Sequence, residues 1–240
     1  MKLVGTMVRL GVALGACTAV AGCLGTGGAA GGVAPPVGWR RRWGGGGGGG
    51  GPIATVTQHD AAYTRVSGLI PTSDMPTTGT ANFEGGVKAV LNKGGSAIGT
   101  MLGDLEMAID FGAADKTRAV TGSATNFRGT IGGNDETFAG TLTTADAAAK
   151  GLPSAISIDE FTTPPIADVP PITVRTGAIS ANFSGDLDLN GTAGTVLLTT
   201  GGAFVGTGAQ GAHGPALGTW WGPAGPSEYN VTGTWFVERK

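Results

Sequence analysis

The chain has 240 residues, 47 of them glycine, with 13% charged residues and a formal net charge of −2. That length holds one or two domains, and glycine lies far above and charge far below average usage. Setting aside Lys2, Arg9 and Arg40 to Arg42 leaves −7 for residues 53 to 240, an acidic balance that argues against nucleic acid as a partner.

The first segment, residues 1 to 22, reads as a lipoprotein signal peptide. Lys2 and Arg9 give a positive start, and Leu10, Val12, Ala13, Leu14 and Ala16 form an apolar stretch too short to span a bilayer. Ala19-Val20-Ala21-Gly22-Cys23 resembles the bacterial lipobox, an aliphatic residue and two small ones before a cysteine. Small side chains admit the peptidase, and the Cys23 thiolate takes the diacylglycerol. Of the two cysteines, Cys17 leaves with the leader, so no intramolecular disulfide is expected. Acylation with palmitate-type chains explains the remaining thiol, and two or more chains anchor stably where one is marginal. Leu24, rather than an aspartate, follows Cys23, which points to the outer membrane. Cleavage at a plain small-residue secretory site, with Cys23 incidental, is the alternative. Met7 is an alternative start that leaves Arg9 and the lipobox intact.

Residues 23 to 52 read as a lipidated, disordered, Gly-rich tether. Gly44 to Gly51 can bury nothing and form a random coil. Trp39-Arg40-Arg41-Arg42-Trp43 fits an anionic headgroup layer, and it fits a solvated basic patch equally well.

Residues 53 to 77 read as an irregular lead-in, with Pro71, Pro76 and threonine-rich turns, that adds an edge strand or a plug. From there to residue 240 the pattern alternates with period two. Leu105, Met107, Ile109 and Phe111 alternate with polar or small residues, as do Ala181, Phe183, Gly185 and Leu187. Such alternation marks strands with one dry face and antiparallel pairing, and no long segment shows helical spacing. The pattern predicts eight strands, at about 79–91, 97–111, 117–131, 136–145, 177–189, 193–206, 215–222 and 229–238. The Asn190-Gly191 dipeptide is a hairpin signal. The predicted fold is all-β, an eight-stranded antiparallel up-and-down barrel over residues 78 to 240, whose interior is nearly filled by side chains. Residues 146 to 176, rich in proline, are expected to form a long surface loop.

A short repeat, Asn-Phe-x-Gly, recurs at Asn82, Asn126 and Asn182, with Phe138-Ala139-Gly140 as a partial fourth copy. Phe and Gly share a face in each, a bulky ring beside a clearance. Packing explains this better than a ring of asparagines around a site.

No catalytic constellation is present, so no enzyme and no cofactor is expected. His59-Asp60 reads as an exposed pair in the lead-in. His213 reads as part of a glycine-rich turn without a metal-spaced partner, so no metal site is expected. The acids Asp104, Glu106 and Asp110 line a wet strand face. Trp220 and Trp221 are the candidate ligand contacts. Adjacent strand residues face opposite ways, so at most one ring belongs to the core, and capping of the barrel mouth is the simpler role.

The lipobox, the glycine tether and the acidic meander, with Gly214-Pro215-Ala216-Leu217-Gly218-Thr219-Trp220 and Val231-Thr232-Gly233-Thr234-Trp235-Phe236, resemble surface lipoproteins built on the transferrin-binding protein B barrel. That group includes factor H-binding protein and haemoglobin-binding, Slam-dependent lipoproteins. The family motif commonly runs Gly-Pro-x-Ala-x-Glu-x-Gly-Gly-x-Phe; here it is shortened and its acidic residue is missing. The resemblance implies the barrel, a lipid-anchored position at the cell surface, and binding of a protein or a small solute, with iron or haem acquisition as the associated role. With one barrel and no handle domain, it does not imply transferrin itself as the ligand. A structural envelope lipoprotein without a diffusible ligand and an integral outer-membrane barrel are the two competing readings.

Overall fold

A computed structural model describes residues 52–164, 170–189, 192–222 and 227–240. The expected signal peptide, Cys23 and the expected tether up to residue 51 lie outside the described residues, as does the turn expected at Asn190-Gly191.

Ten strands form one antiparallel sheet. In chain order they are β1 (Thr80–Lys93), β2 (Ser96–Asp110), β3 (Val120–Ile131), β4 (Asn134–Gly140), β5 (Leu142–Thr143), β6 (Ala155–Thr162), β7 (Thr173–Leu189), β8 (Thr192–Val205), β9 (Gly211–Trp221) and β10 (Ser227–Arg239). Eight of them close a ring, β1-β2-β3-β4-β7-β8-β9-β10, which β1 completes by pairing with β10 from Phe83↔Arg239 to Asn92↔Asn230. The expected barrel is therefore the observed one. The sheet bends at Gly140, where φ is 138°, and β5 takes over the pairing with β3 and β7. A closed ring leaves no exposed sheet edge of its own to manage.

The dry face of every ring strand points inward. Phe83, Phe127, Phe138, Phe183 and Trp235 are all at most 1% exposed and fill the lumen with Leu, Val, Ile, Met and Ala. The Trp235 indole N–H is satisfied by the Gly201 carbonyl at 3.0 Å. The outward positions are polar on most strands, as in Asn82, Glu84, Lys88 and Asn92 of β1.

The Phe and Gly of the repeat do share the inner face, and the glycines have a specific reason. A methyl group built on Gly85 or Gly129 would run into a backbone carbonyl of the neighbouring strand, that of Phe236 or Thr100, and one on Gly185 would meet the Thr141 carbonyl between β4 and β5. Strands this tightly coiled leave no room for a Cβ beside the Phe ring.

Two expectations are corrected. Residues 53 to 77 are not irregular, because Val56–Ser67 forms an α-helix, α1. Thr55 caps it: its hydroxyl accepts from the Gln58 N–H, and the Gln58 side chain returns to the Thr55 backbone. After Gly68 the chain crosses one end of the barrel in extended form. Thr72 donates its hydroxyl to the Gly206 carbonyl at 2.8 Å, Pro71 bridges Val205, and Met75 enters the core as a plug. Residues 146 to 176 are likewise more than a loop. A short helix, α2 (Thr144–Ala149), is capped by Thr143, and β6 pairs with β7 from Ala155↔Ser180 to Thr162↔Thr173. The described prolines of this segment, Pro153, Pro164, Pro170 and Pro171, lie outside the β6–β7 ladder, where no ladder N–H is needed.

Candidate functional site

The two tryptophans part company as strand geometry requires. Trp220 is 3% exposed and points into the barrel, edge-on to Phe138 at 5.6 Å and to Tyr229 at 5.5 Å. Its ring is spent on core packing, which leaves little of it for a ligand to touch. Trp221 faces outward and is half-buried. On β9 it shares that outer face with Leu217, which is 55% exposed, and on β8 with Leu197. Thr195 lies opposite Trp221 and donates its hydroxyl to Asp186. Thr219 lies between Trp221 and Leu217 on that face, opposite Leu197, so the apolar side chains alternate with hydroxyls.

At the other end of the barrel the 3₁₀ turn Lys116–Arg118, the start of β3 and α2 enclose a cleft of about 550 Å³. Val120, Ala145, Ala148 and Pro153 give it an apolar lining, and Arg118 stands at its rim beside Asp115. Clefts of this size are in the range that holds small ligands.

The third feature was hidden by the lead-in. The α1 stripe His59, Ala62, Tyr63 and Val66 follows spacing of three and four and lies on the outer face of β1, β9 and β10. Val66, Phe236 and Val205 form a small buried cluster there, with Ile53, Ala62, Tyr63 and Leu69 around it. His59 is fully buried, which corrects the expectation of an exposed His59-Asp60 pair. Its ring stacks on Tyr63 at 6.2 Å and meets Phe236 edge-on at 5.3 Å, while Tyr63 meets His213 edge-on at 5.6 Å. His213 is not in a turn but within β9, opposite Phe236.

His59 Nδ1 lies 3.3 Å from the Asp60 carboxylate, and Asp60 is also paired with Lys88 of β1. That ammonium holds the Asp60 carboxyl below its ordinary value. Burial pushes the His59 imidazole below its ordinary value despite Asp60, and burial alone does the same to His213. Among the described residues, the buried His59 Nε2 and His213 Nδ1 have no hydrogen-bond partner. The capping box Thr55-x-x-Gln58 and the stripe of His59, Ala62, Tyr63 and Val66 are the sequence signals for this element.

On the wet face of β2, Asp104 is more than a solvated acid. Its carboxylate accepts from the Ile53 N–H at 2.8 Å, from Asn126 at 2.9 Å and from Arg128 at 3.3 Å, fixing the start of the described chain to the barrel wall. Glu106, Glu84 and Glu238 stand abreast on β2, β1 and β10. Lys240 pairs with Glu84 and Arg65 with Glu238. Among the described residues no group of three or more His, Cys, Asp or Glu is placed to hold a metal ion, and no helix is long and apolar enough to cross a membrane. The chain matches no known protein family and no functionally characterised protein.

Proposed function

We propose that this protein is an outer-membrane lipoprotein, acylated at Cys23 and exposed at the cell surface, whose barrel binds a partner protein or a small solute on its outside, with iron or haem acquisition as the associated role. The reading rests on one observation: a lipobox ending in Cys23, followed by eight consecutive glycines, stands ahead of an acidic barrel whose dry side faces in. A bilayer-embedded barrel carries the reverse arrangement, apolar out and polar in. The filled lumen favours a ligand on the outer wall or at the loops rather than inside. Trp221 with Leu197 and Leu217 is the preferred contact strip, because a half-exposed indole supplies area at low entropic cost.

Labelled palmitate tests the anchor. It is expected to enter the protein and to be lost in Cys23→Ala, and labelling that survives the substitution would refute the anchor. A tagged soluble domain presented to haem, to metal ions and to candidate proteins tests the binding. Trp221→Ala is expected to lose at least about tenfold in affinity with the fold intact. Reproducible absence of any ligand would favour a purely structural envelope role.

A further inference from the structure

The sequence contains two histidines, and the fold brings both to one interface, the seam between α1 and the barrel wall. Each carries a buried ring nitrogen with no hydrogen-bond partner among the described residues. A neutral imidazole tolerates this at modest cost, since the orphaned nitrogen need not carry a proton. An imidazolium cannot, because both nitrogens must then donate and the charge must be solvated.

We propose that α1 is an acid-released latch: protonation of His59 and His213 undocks the helix from β1, β9 and β10 while the barrel stays closed.

The charged groups around the seam give little relief to the incoming protons. On α1, Asp60 faces His59 and favours the cation, but its carboxylate is already engaged by Lys88 of β1, which opposes it. Arg65 on α1 is paired with Glu238 on β10. The Thr234 backbone on β10 approaches the His59 ring and favours the proton without completing a hydrogen bond. His213 faces the Tyr63 ring of α1 and, across the strands, Phe236 of β10 and Ala203 of β8, none of which accepts a proton in this range. The burial that lowers both imidazoles therefore dominates.

The docking surface is small enough for two charges to undo. Its apolar content is Val66, Val205 and Phe236 with a partly buried fringe. Neither histidine lies in the lumen, and the β1–β10 and β9–β10 ladders run independently of α1. The helix is therefore a separately opening unit of the kind that exchanges locally. On release it bares Phe236 and Val205 on the outer wall.

Amide hydrogen exchange of the full chain at pH 7.5, 6.0 and 5.0, corrected for intrinsic rates, tests this. Protection of α1 amides is expected to fall at least about tenfold between pH 7.5 and 5.0, with β10 amides unchanged. The H59F/H213F double variant is expected to keep α1 protected at pH 5.0. Constant α1 protection in the native chain, loss shared equally with β10, or loss undiminished in the double variant would each overturn the latch. If the double variant does not fold, the native-chain comparison of α1 with β10 decides, together with imidazole titration midpoints that must coincide with helix release.

Discussion

Gly129 and Gly201 are both strand glycines, yet their surroundings differ completely. A Cβ on Gly129 would collide with the Thr100 carbonyl of β2, whereas a Cβ on Gly201 would meet nothing within 4 Å. Backbone cannot swing aside as a flexible side chain can, so Gly129→Ala is expected to cost about 3 kcal/mol. Gly201→Ala is expected to fall within about 1 kcal/mol of the native protein, or to stabilise it by restricting the unfolded chain. Urea unfolding of the two variants measures the contrast, and equal losses would count against close strand approach as the reason for the repeat. The repeat itself was legible, since Phe83 and Gly85 share parity in any strand. What Gly85 clears was not legible, because Phe236 lies 151 positions away in sequence and only ring closure brings its carbonyl there. Likewise the opposed directions of Trp220 and Trp221 followed from strand geometry, but which of them faces the lumen depends on the register of β9 with β8 and β10.

At the scale of elements, strands declared themselves and helices did not. Period-two runs located all eight ring strands to within a few residues, because half-buried walls impose alternation along their whole length. α1 has only twelve residues, and its buried stripe contains a histidine and a tyrosine in place of aliphatic side chains. β6 was hidden because both of its faces are exposed from Asp159 onward, with charges on adjacent positions at Asp159 and Glu160 and Phe161 64% exposed, so no clean alternation appears. The cap of α1 should be worth measuring on its own: Thr55→Ala removes one half of the capping box and is expected to cost about 1 kcal/mol of helix docking, seen as faster exchange confined to α1. The pH profile of stability has a definite sign. His59 and His213 have lowered values in the folded state, so the unfolded chain binds more protons just below the ordinary histidine range. Stability is expected to be full above about pH 7 and to decline as pH falls through roughly 6.5, the ordinary histidine value. Asp60 acts in the same direction but only in the lower, carboxylate range, because its lowered value stabilises the fold until it is protonated. Denaturant midpoints that rise on acidification from pH 7 to 5.5 would contradict the assignment of these burials.

For the whole molecule, the decisive property is which way the walls face. Polar outward positions and an apolar, side-chain-filled lumen describe a barrel stabilised by water outside and packing within. Residues 52 to 240 are therefore expected to stay in solution without detergent and to give a β-type circular dichroism spectrum. A requirement for detergent would revive the bilayer-embedded reading. Ring closure joins Phe83 to Arg239, so most of the chain must be in place before the last seam forms. Such non-local pairing places folding on the slower, millisecond-to-second side of the range for single domains. The proposed localisation rests on residues 1 to 51, read only as composition and motif, while the barrel was legible as periodicity.

The way the chain enters the barrel has a mechanical consequence. Any pull on residues before Pro52 meets the Ile53–Asp104 bond and then α1 before it reaches the extended stretch pinned by Thr72, Pro71 and Met75. Load therefore falls on a twelve-residue helix held by a small patch before it falls on a ladder of the ring. Unwinding that helix from about 1.5 to about 3.4 Å per residue would release roughly 20 Å of slack. Under tension the molecule is built to lengthen first and to lose its barrel last.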